Sequence, residues 1–128
     1  MKKICLILLF ILSLNADVKD IYPDIHILNS NIKIFDIRTE SEWKDTGVIK
    51  NSILLTFFDE KGMYDAKGFL TELNKNIKPN EEFAIVCRSG SRTKSVSSFL
   101  GQLGYNVINF QGGILYIKNL DYKLTKVK

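Results

Sequence analysis

The sequence predicts an α/β domain, a central parallel sheet flanked by helices on both faces, from three observations. Short apolar runs around Ile32–Ile37, Ile53–Leu55, Phe83–Val86 and Val107–Phe110 have the length of buried strands. Segments with apolar residues three and four apart stand between them, as in Val96, Phe99, Leu100 and Leu103. At 128 residues and 45% hydrophobic composition, the chain holds one domain of ordinary size. Strands that alternate with helices favour a parallel sheet covered on both sides.

Asn31 to Arg38 reads as the first buried strand, and a helical turn beginning near Ser41 leads to a turn at Gly47. Ser52 to Leu55 is the second strand. Phe57 to Gly68 has no clear period, since Gly62 and Gly68 interrupt any long element, whereas Phe69, Leu70 and Leu73 stand at helical spacing up to Asn76. Pro79-Asn80 turns the chain into the third strand, Phe83 to Cys87. A helix from Thr93 through Leu100 closes near Gly104, Val107 to Phe110 is the fourth strand, and Gly112-Gly113 opens a last helix through Ile117. Lys118 to Lys128 fits a strand, a docked tail or a disordered end.

The amino end is set apart. Lys2 and Lys3 precede the apolar stretch Ile4 to Leu12, followed by Ser13-Leu14-Asn15-Ala16, the order of a secretory signal peptide covering residues 1–16. The expected mature domain is then residues 17–128, exported, in a bacterium to the periplasm, with no stable membrane span after cleavage. An uncleaved anchor or an internal strand is the alternative. Losing Lys2 and Lys3 with no acid lowers the formal charge from +4 to +2. The remaining lysines are scattered without a basic block, so nucleic acid is not an expected partner, whereas small anions are. Cleavage also removes Cys5, leaving Cys87 unpaired and ruling out an internal disulfide. One cysteine and the lone His26 cannot supply a tetrahedral zinc set, so no metal site and no resident cofactor are expected.

The segment richest in chemistry is Cys87-Arg88-Ser89-Gly90-Ser91-Arg92-Thr93, between a strand and a helix. There a helix start, with its unpaired N–H groups and positive dipole end, faces a thiol between two arginines, a setting for a nucleophilic thiolate. Gly90 permits the positive φ that lets successive amides form an anion-binding nest. A cysteine can also be a buried apolar filler, but a filler does not need flanking arginines.

This segment resembles the active-site loop of single-domain rhodaneses, sulfurtransferases that carry sulfur on a cysteine persulfide. Cys87 and Arg92 enclose a six-residue loop of that type. Phe35-Asp36-Ile37-Arg38 with Glu42-Trp43, Gly47, Ile49 and Ser52 is similar to the family's amino-terminal signature, and Leu103-Gly104-Tyr105 with Val107, Asn109 and Gly112-Gly113 extends the match, which covers nearly all of residues 22–118. The chain departs from the family's usual histidine at Val48, proline-glycine pair at Lys50-Asn51 and tryptophan at Ile117.

The resemblance implies that Cys87 takes sulfane sulfur from thiosulfate or a related donor and passes it to a thiol or cyanide. The loop residues Arg88, Ser89, Gly90, Ser91 and Arg92 would surround the transferred atom, their amides acting like an oxyanion hole. Arg88 would point to the pocket mouth and orient the donor's sulfonate, or be a solvated charge. Arg92, a cation at a helix start, needs an anionic partner and is expected to reach a carboxylate or the loop. Ser89, Ser91 and Thr93 could donate hydroxyl hydrogen bonds or only cap the helix, with capping the expected role of Thr93. Asp36 and Arg38, at a strand's carboxyl end, would brace the loop by ion pairing. Trp43 reads as packing.

Other functions compete. A phosphatase or arsenate reductase of similar fold uses a loop one residue longer; here Arg92 is the fifth residue after Cys87, a ring suited to sulfur. A non-catalytic interaction module has no need of an intact thiol and nest. Polysulfide-sulfur transfer or sulfur carriage remains beside thiosulfate transfer, and the oligomeric state stays open.

Overall fold

The computed structural model describes residues 16–128. All but one residue of the expected leader, and Cys5 with them, lie outside the described residues.

The elements, in chain order, are β1 (Val18–Ile21), α1 (Ile25–Leu28), β2 (Lys33–Asp36), α2 (Glu40–Thr46), β3 (Ile53–Leu54), α3 (Ala66–Asn76), β4 (Phe83–Val86), α4 (Ser91–Gln102), β5 (Val107–Phe110) and α5 (Gly113–Ile117). The strands form one parallel sheet in the order β1-β5-β4-β2-β3. The chain leaves β2 toward one edge and β4 toward the other, so the winding reverses between these two strands. Such a switch point opens a crevice at the strands' carboxyl ends, here just beyond the paired residues Asp36 and Val86.

Alternation along the buried strands separates two cores. Phe35, Phe83 and Ile85 face a layer holding Phe69 and Leu73 of α3 and Val96 and Leu100 of α4. Ile34, Ala84 and Val86 face Leu28 of α1 and Ile114 and Ile117 of α5. Both faces of the sheet are thus covered, which is why β4 is buried throughout.

Among the described residues there are five strands, where the sequence predicts four. Strand β1 pairs with β5 at the sheet edge, and Val-Lys-Asp-Ile, mostly exposed, shows no apolar run or alternation to announce it. Helix α3 begins at Ala66, so Gly68 lies inside it rather than ending a loop; the Asp65 carboxylate accepts from the Gly68 N–H and starts the helix there. Before it, Phe58 and Tyr64 form an antiparallel bridge across a tight turn.

The tail from Lys118 is docked. Thr125 bridges Val48 antiparallel, with N–H···O distances of 2.8 and 2.7 Å, and Tyr122 and Leu124 pack on the α1/α5 core. Val48, at the family's histidine position, is buried under this tail. Asn51, in place of the family's glycine, has φ 65°, a left-handed conformation that asparagine tolerates better than most residues.

The carboxyl end of β2 carries a buried ion pair. Asp36 and Arg38 are both 0% exposed, with Nη2–Oδ2 at 2.8 Å and Nε–Oδ1 at 3.0 Å. The remaining Arg38 donors reach the Thr46 hydroxyl at 2.8 Å and the Gly47 carbonyl at 3.0 Å, closing the carboxyl end of α2. With every partner in place the charges are satisfied; removing one leaves the other buried and uncompensated. Arg38→Leu should therefore cost about 3 to 5 kcal/mol in denaturant unfolding. A loss below about 1 kcal/mol would mean that Asp36 relaxes to water or another cation.

Candidate active site

Strand β4 ends at Val86 and α4 begins at Ser91, so Cys87 to Gly90 must turn the chain from sheet to helix. Gly90 completes the turn at φ 100°, and a Cβ there would sit 3.1 Å from the Gly112 nitrogen. Glycine is required on both counts. The other side of the turn is held by α5, whose unpaired first-turn N–H groups donate to it: Ile114 to the Cys87 carbonyl at 2.9 Å and Leu115 to the Arg88 carbonyl at 3.1 Å. A Cβ on Gly113 would collide with both carbonyls. Because C=O and N–H point opposite ways across a trans peptide, this clamp turns the Arg88 and Ser89 N–H groups away from α5.

The Cys87 sulfur lies inside the turn and is 0% exposed. The residue belongs to the apolar cluster on the α3/α4 side, and its sulfur has two polar neighbours besides: the Gly90 N–H donates to Sγ at 3.1 Å, and the Thr93 Oγ1 stands 3.5 Å away. An apolar filler would have neither. Thr93 is not the helix cap, since that position belongs to Gly90; it lies in the first turn, fully buried, with its hydroxyl donating to the Gly90 carbonyl at 3.2 Å. Ser89 and Ser91 are exposed, as is Arg88 beside the thiol.

Arg92 finds the carboxylate that a cation at a helix start requires. Its Nη1 and Nη2 each donate to an oxygen of Glu42 at 2.8 Å, a two-pronged pair across the crevice from α4 to α2. Glu42 is aimed by its own helix start, where Oε1 accepts from the Thr39 N–H at 3.5 Å, as in a capping box, and from the Thr39 hydroxyl at 3.2 Å. Hydrogen bonds from Arg92 hold the Glu42 carboxyl below the ordinary value of 4.5, and those to Glu42 hold the Arg92 guanidinium above its own.

A cavity of 620 Å³ opens beside the loop, walled by Thr39, Glu42, Phe58, Asp59, Ser91 and Arg92 among others. Cys87 is not in its wall, so this space adjoins the thiol without reaching it. Among the described residues, no cluster of three histidine, cysteine or acidic side chains is placed to hold a metal ion.

The sequence-predicted residues Cys87 to Thr93 gather in this one turn, whereas the side chains of Asp36 and Arg38 hydrogen-bond each other, Thr46 and Gly47. Their ion pair ties β2 to the end of α2, from which Glu42 reaches the loop, and the Asp36 charge also acts on Arg92 through space. They form the expected ion pair with each other, and its bracing of the loop is indirect. Glu42, part of the amino-terminal signature, is the functional residue that the loop motif alone does not point to. The sequence held two signals for it, the Thr39-x-x-Glu42 spacing of a capping box and the need of Arg92 for an anion. His26 is exposed on α1, and Trp43 is half-buried with an unpartnered Nε1.

Residues 23–120 match the family described as Rhodanese-like domain. RP600 of Rickettsia prowazekii (strain Madrid E) is 33% identical over 93 residues, covering 68% of this chain and 72% of that protein. A Bacillus subtilis (strain 168) protein named "Putative sulfurtransferase YtwF" is 22% identical over 87 residues, 68% of this chain and 74% of its own. The fold is similar to the crystal structure of a rhodanese-like domain protein from Staphylococcus aureus, with TM-score 0.60, 22% identity, and coverage of 84% of this chain and 99% of that one. Rv0390 from M. tuberculosis gives TM-score 0.62 at 24% identity, over 76% and 80% of the two chains.

The Glu42–Arg92 pair generates a pH-dependent prediction. A carboxyl with a lowered folded-state value stabilises the fold above 4.5, and the contribution disappears as pH falls through the lowered value. Glu42→Gln should be about 0.5 to 1.5 kcal/mol less stable at neutral pH, the pair being partly screened by solvent. Its deficit against the native chain should shrink on acidification below 4.5. A deficit independent of pH would assign the loss to packing.

Proposed function

This chain belongs to the rhodanese-like domain family, and from that membership we propose that it is a sulfurtransferase whose Cys87 carries sulfane sulfur as a persulfide. The observation that carries the reading is the Cys87 sulfur enclosed in a six-residue loop, with the Gly90 N–H donating to it at 3.1 Å and the Thr93 hydroxyl oxygen 3.5 Å away. Cys87 thiolate attacks the outer sulfur of thiosulfate. The donor's S–S bond breaks, sulfite leaves with the electron pair, and Cys87 holds the outer sulfur with its negative charge. A thiol or cyanide then attacks that sulfur, and the pair from the second S–S bond returns to Cys87. No external oxidant or reductant enters the cycle.

The main-chain groups of the turn, from Arg88 through Arg92, supply N–H donors for the charge on sulfur, in the manner of an oxyanion hole. The exposed Arg88 meets the sulfonate at the mouth. Arg92 is committed to Glu42 and sets the loop's shape. Because Cys87 is fully buried, attack requires the turn to open enough to admit the donor's outer sulfur, which favours small inorganic donors over bulky ones. Polysulfide meets that requirement as well as thiosulfate.

The charged, apolar and small-residue order of residues 1–16 supports export of a mature chain from Asp17, in a bacterium to the periplasm. Among the described residues no helix is long and apolar enough to cross a membrane.

Intact-mass measurement of reduced protein before and after thiosulfate tests the reading. The native chain should gain one sulfur atom and lose it to cyanide, while Cys87→Ser should gain nothing. Uptake by Cys87→Ser, or none by the native chain with thiosulfate or polysulfide, would overturn it.

A further inference from the structure

We propose that the Thr93 hydroxyl is a two-position hydrogen-bond donor that follows the charge on Cys87, which makes Thr93 a catalytic residue in both half-reactions; this rests on the persulfide reading above.

The geometry is that of one proton with two acceptors. Thr93 Oγ1 stands 3.2 Å from the Gly90 carbonyl oxygen and 3.5 Å from Cys87 Sγ. A hydroxyl has one hydrogen to give and lone pairs with which to accept. While Cys87 is a thiol, S–H donates to Oγ1 and the hydroxyl hydrogen goes to the Gly90 carbonyl. Once Cys87 is a thiolate, Sγ can only accept, and the hydroxyl hydrogen turns to it. Sγ then has two donors, the Gly90 N–H and the Thr93 O–H.

The turn costs little, because the Gly90 carbonyl keeps a second donor, the Lys94 N–H at 3.1 Å. Thr93 and Cys87 are both 0% exposed, so water does not compete for either position. A hydrogen bond to a charged group in such a place is worth more than one at the surface.

During transfer the charge moves from Sγ to the outer sulfur, leaving Sγ a neutral bridging atom, and the hydroxyl returns to the Gly90 carbonyl. When an acceptor takes the outer sulfur, the electron pair of the breaking S–S bond falls back on Sγ, and the hydroxyl turns again to receive it. Thr93 thus stabilises the attacking thiolate of the first step and the leaving thiolate of the second.

Full-length protein is compared with Thr93→Val, which keeps the shape without the hydroxyl, and Thr93→Ser, which keeps the hydroxyl. The first readout is the rate of Cys87 alkylation by iodoacetamide against pH, with no sulfur donor present. The second is the rate at which cyanide discharges thiosulfate-loaded protein. Thr93→Val should shift the alkylation profile to higher pH and slow discharge about tenfold or more, with Thr93→Ser near the native protein in both. Native profiles for Thr93→Val, or equal impairment in Thr93→Ser, would overturn the proposal. Should Thr93→Val fail to fold by circular dichroism, Thr93→Ala against Thr93→Ser gives the same comparison. Failure of the native chain to load sulfur would count against the persulfide reading, while the alkylation profiles still decide whether Thr93 serves the thiolate.

Discussion

The constraint on which this structure depends is the turn from β4 to α4, which in four residues must reverse direction, point carbonyls outward and keep a sulfur inside. Backbone groups meet most of that demand. The first N–H groups of α5 take the Cys87 and Arg88 carbonyls, and Gly90 and Gly113 leave no room for a side chain where the turn and α5 meet. A helix start would otherwise leave such donors to water. Here they fix the loop.

Two ion pairs hold the opposite wall. Asp36–Arg38, fully buried, locks the end of β2 to the end of α2, and Glu42 on α2 holds Arg92 on α4. Their roles differ in energy as well as place. The first pair has no access to water, so its value lies in complete satisfaction, and loss of one partner is severe. The second is about a quarter exposed and is screened accordingly, so it fixes geometry more than it adds stability. Sheet, α2 and loop form one mechanical chain, with the sulfur at its end.

Much of this was legible in the sequence because the central strands are apolar and the loop motif is local. Phe83–Val86 and Val107–Phe110 declare themselves by composition, and the helix after Cys87 by its spacing. Strand β1 did not, since an edge strand exposed along most of its length needs no apolar face and exists through its pairing with β5. Thr93 was read as a cap because threonine commonly caps; Gly90, in a left-handed conformation, holds that place and sends Thr93 inward to the sulfur. Asp36 and Arg38 form an ion pair as their place at the strand end suggests, with their other donors taken by Thr46 and Gly47, so they act on the loop indirectly. Partners fifty residues apart, such as Glu42 and Arg92, are set by topology rather than by local spacing.

The proposed persulfide chemistry would place the transferred sulfur at the fully buried Cys87, beside the Gly90 N–H. The measurement that tests this most directly is a crystal structure of thiosulfate-treated protein. The account predicts one added atom bonded to Cys87 Sγ inside the turn, with the α5 clamp and the Glu42–Arg92 pair unchanged. Sulfur bound elsewhere, or a turn that must unfold to hold it, would contradict the account.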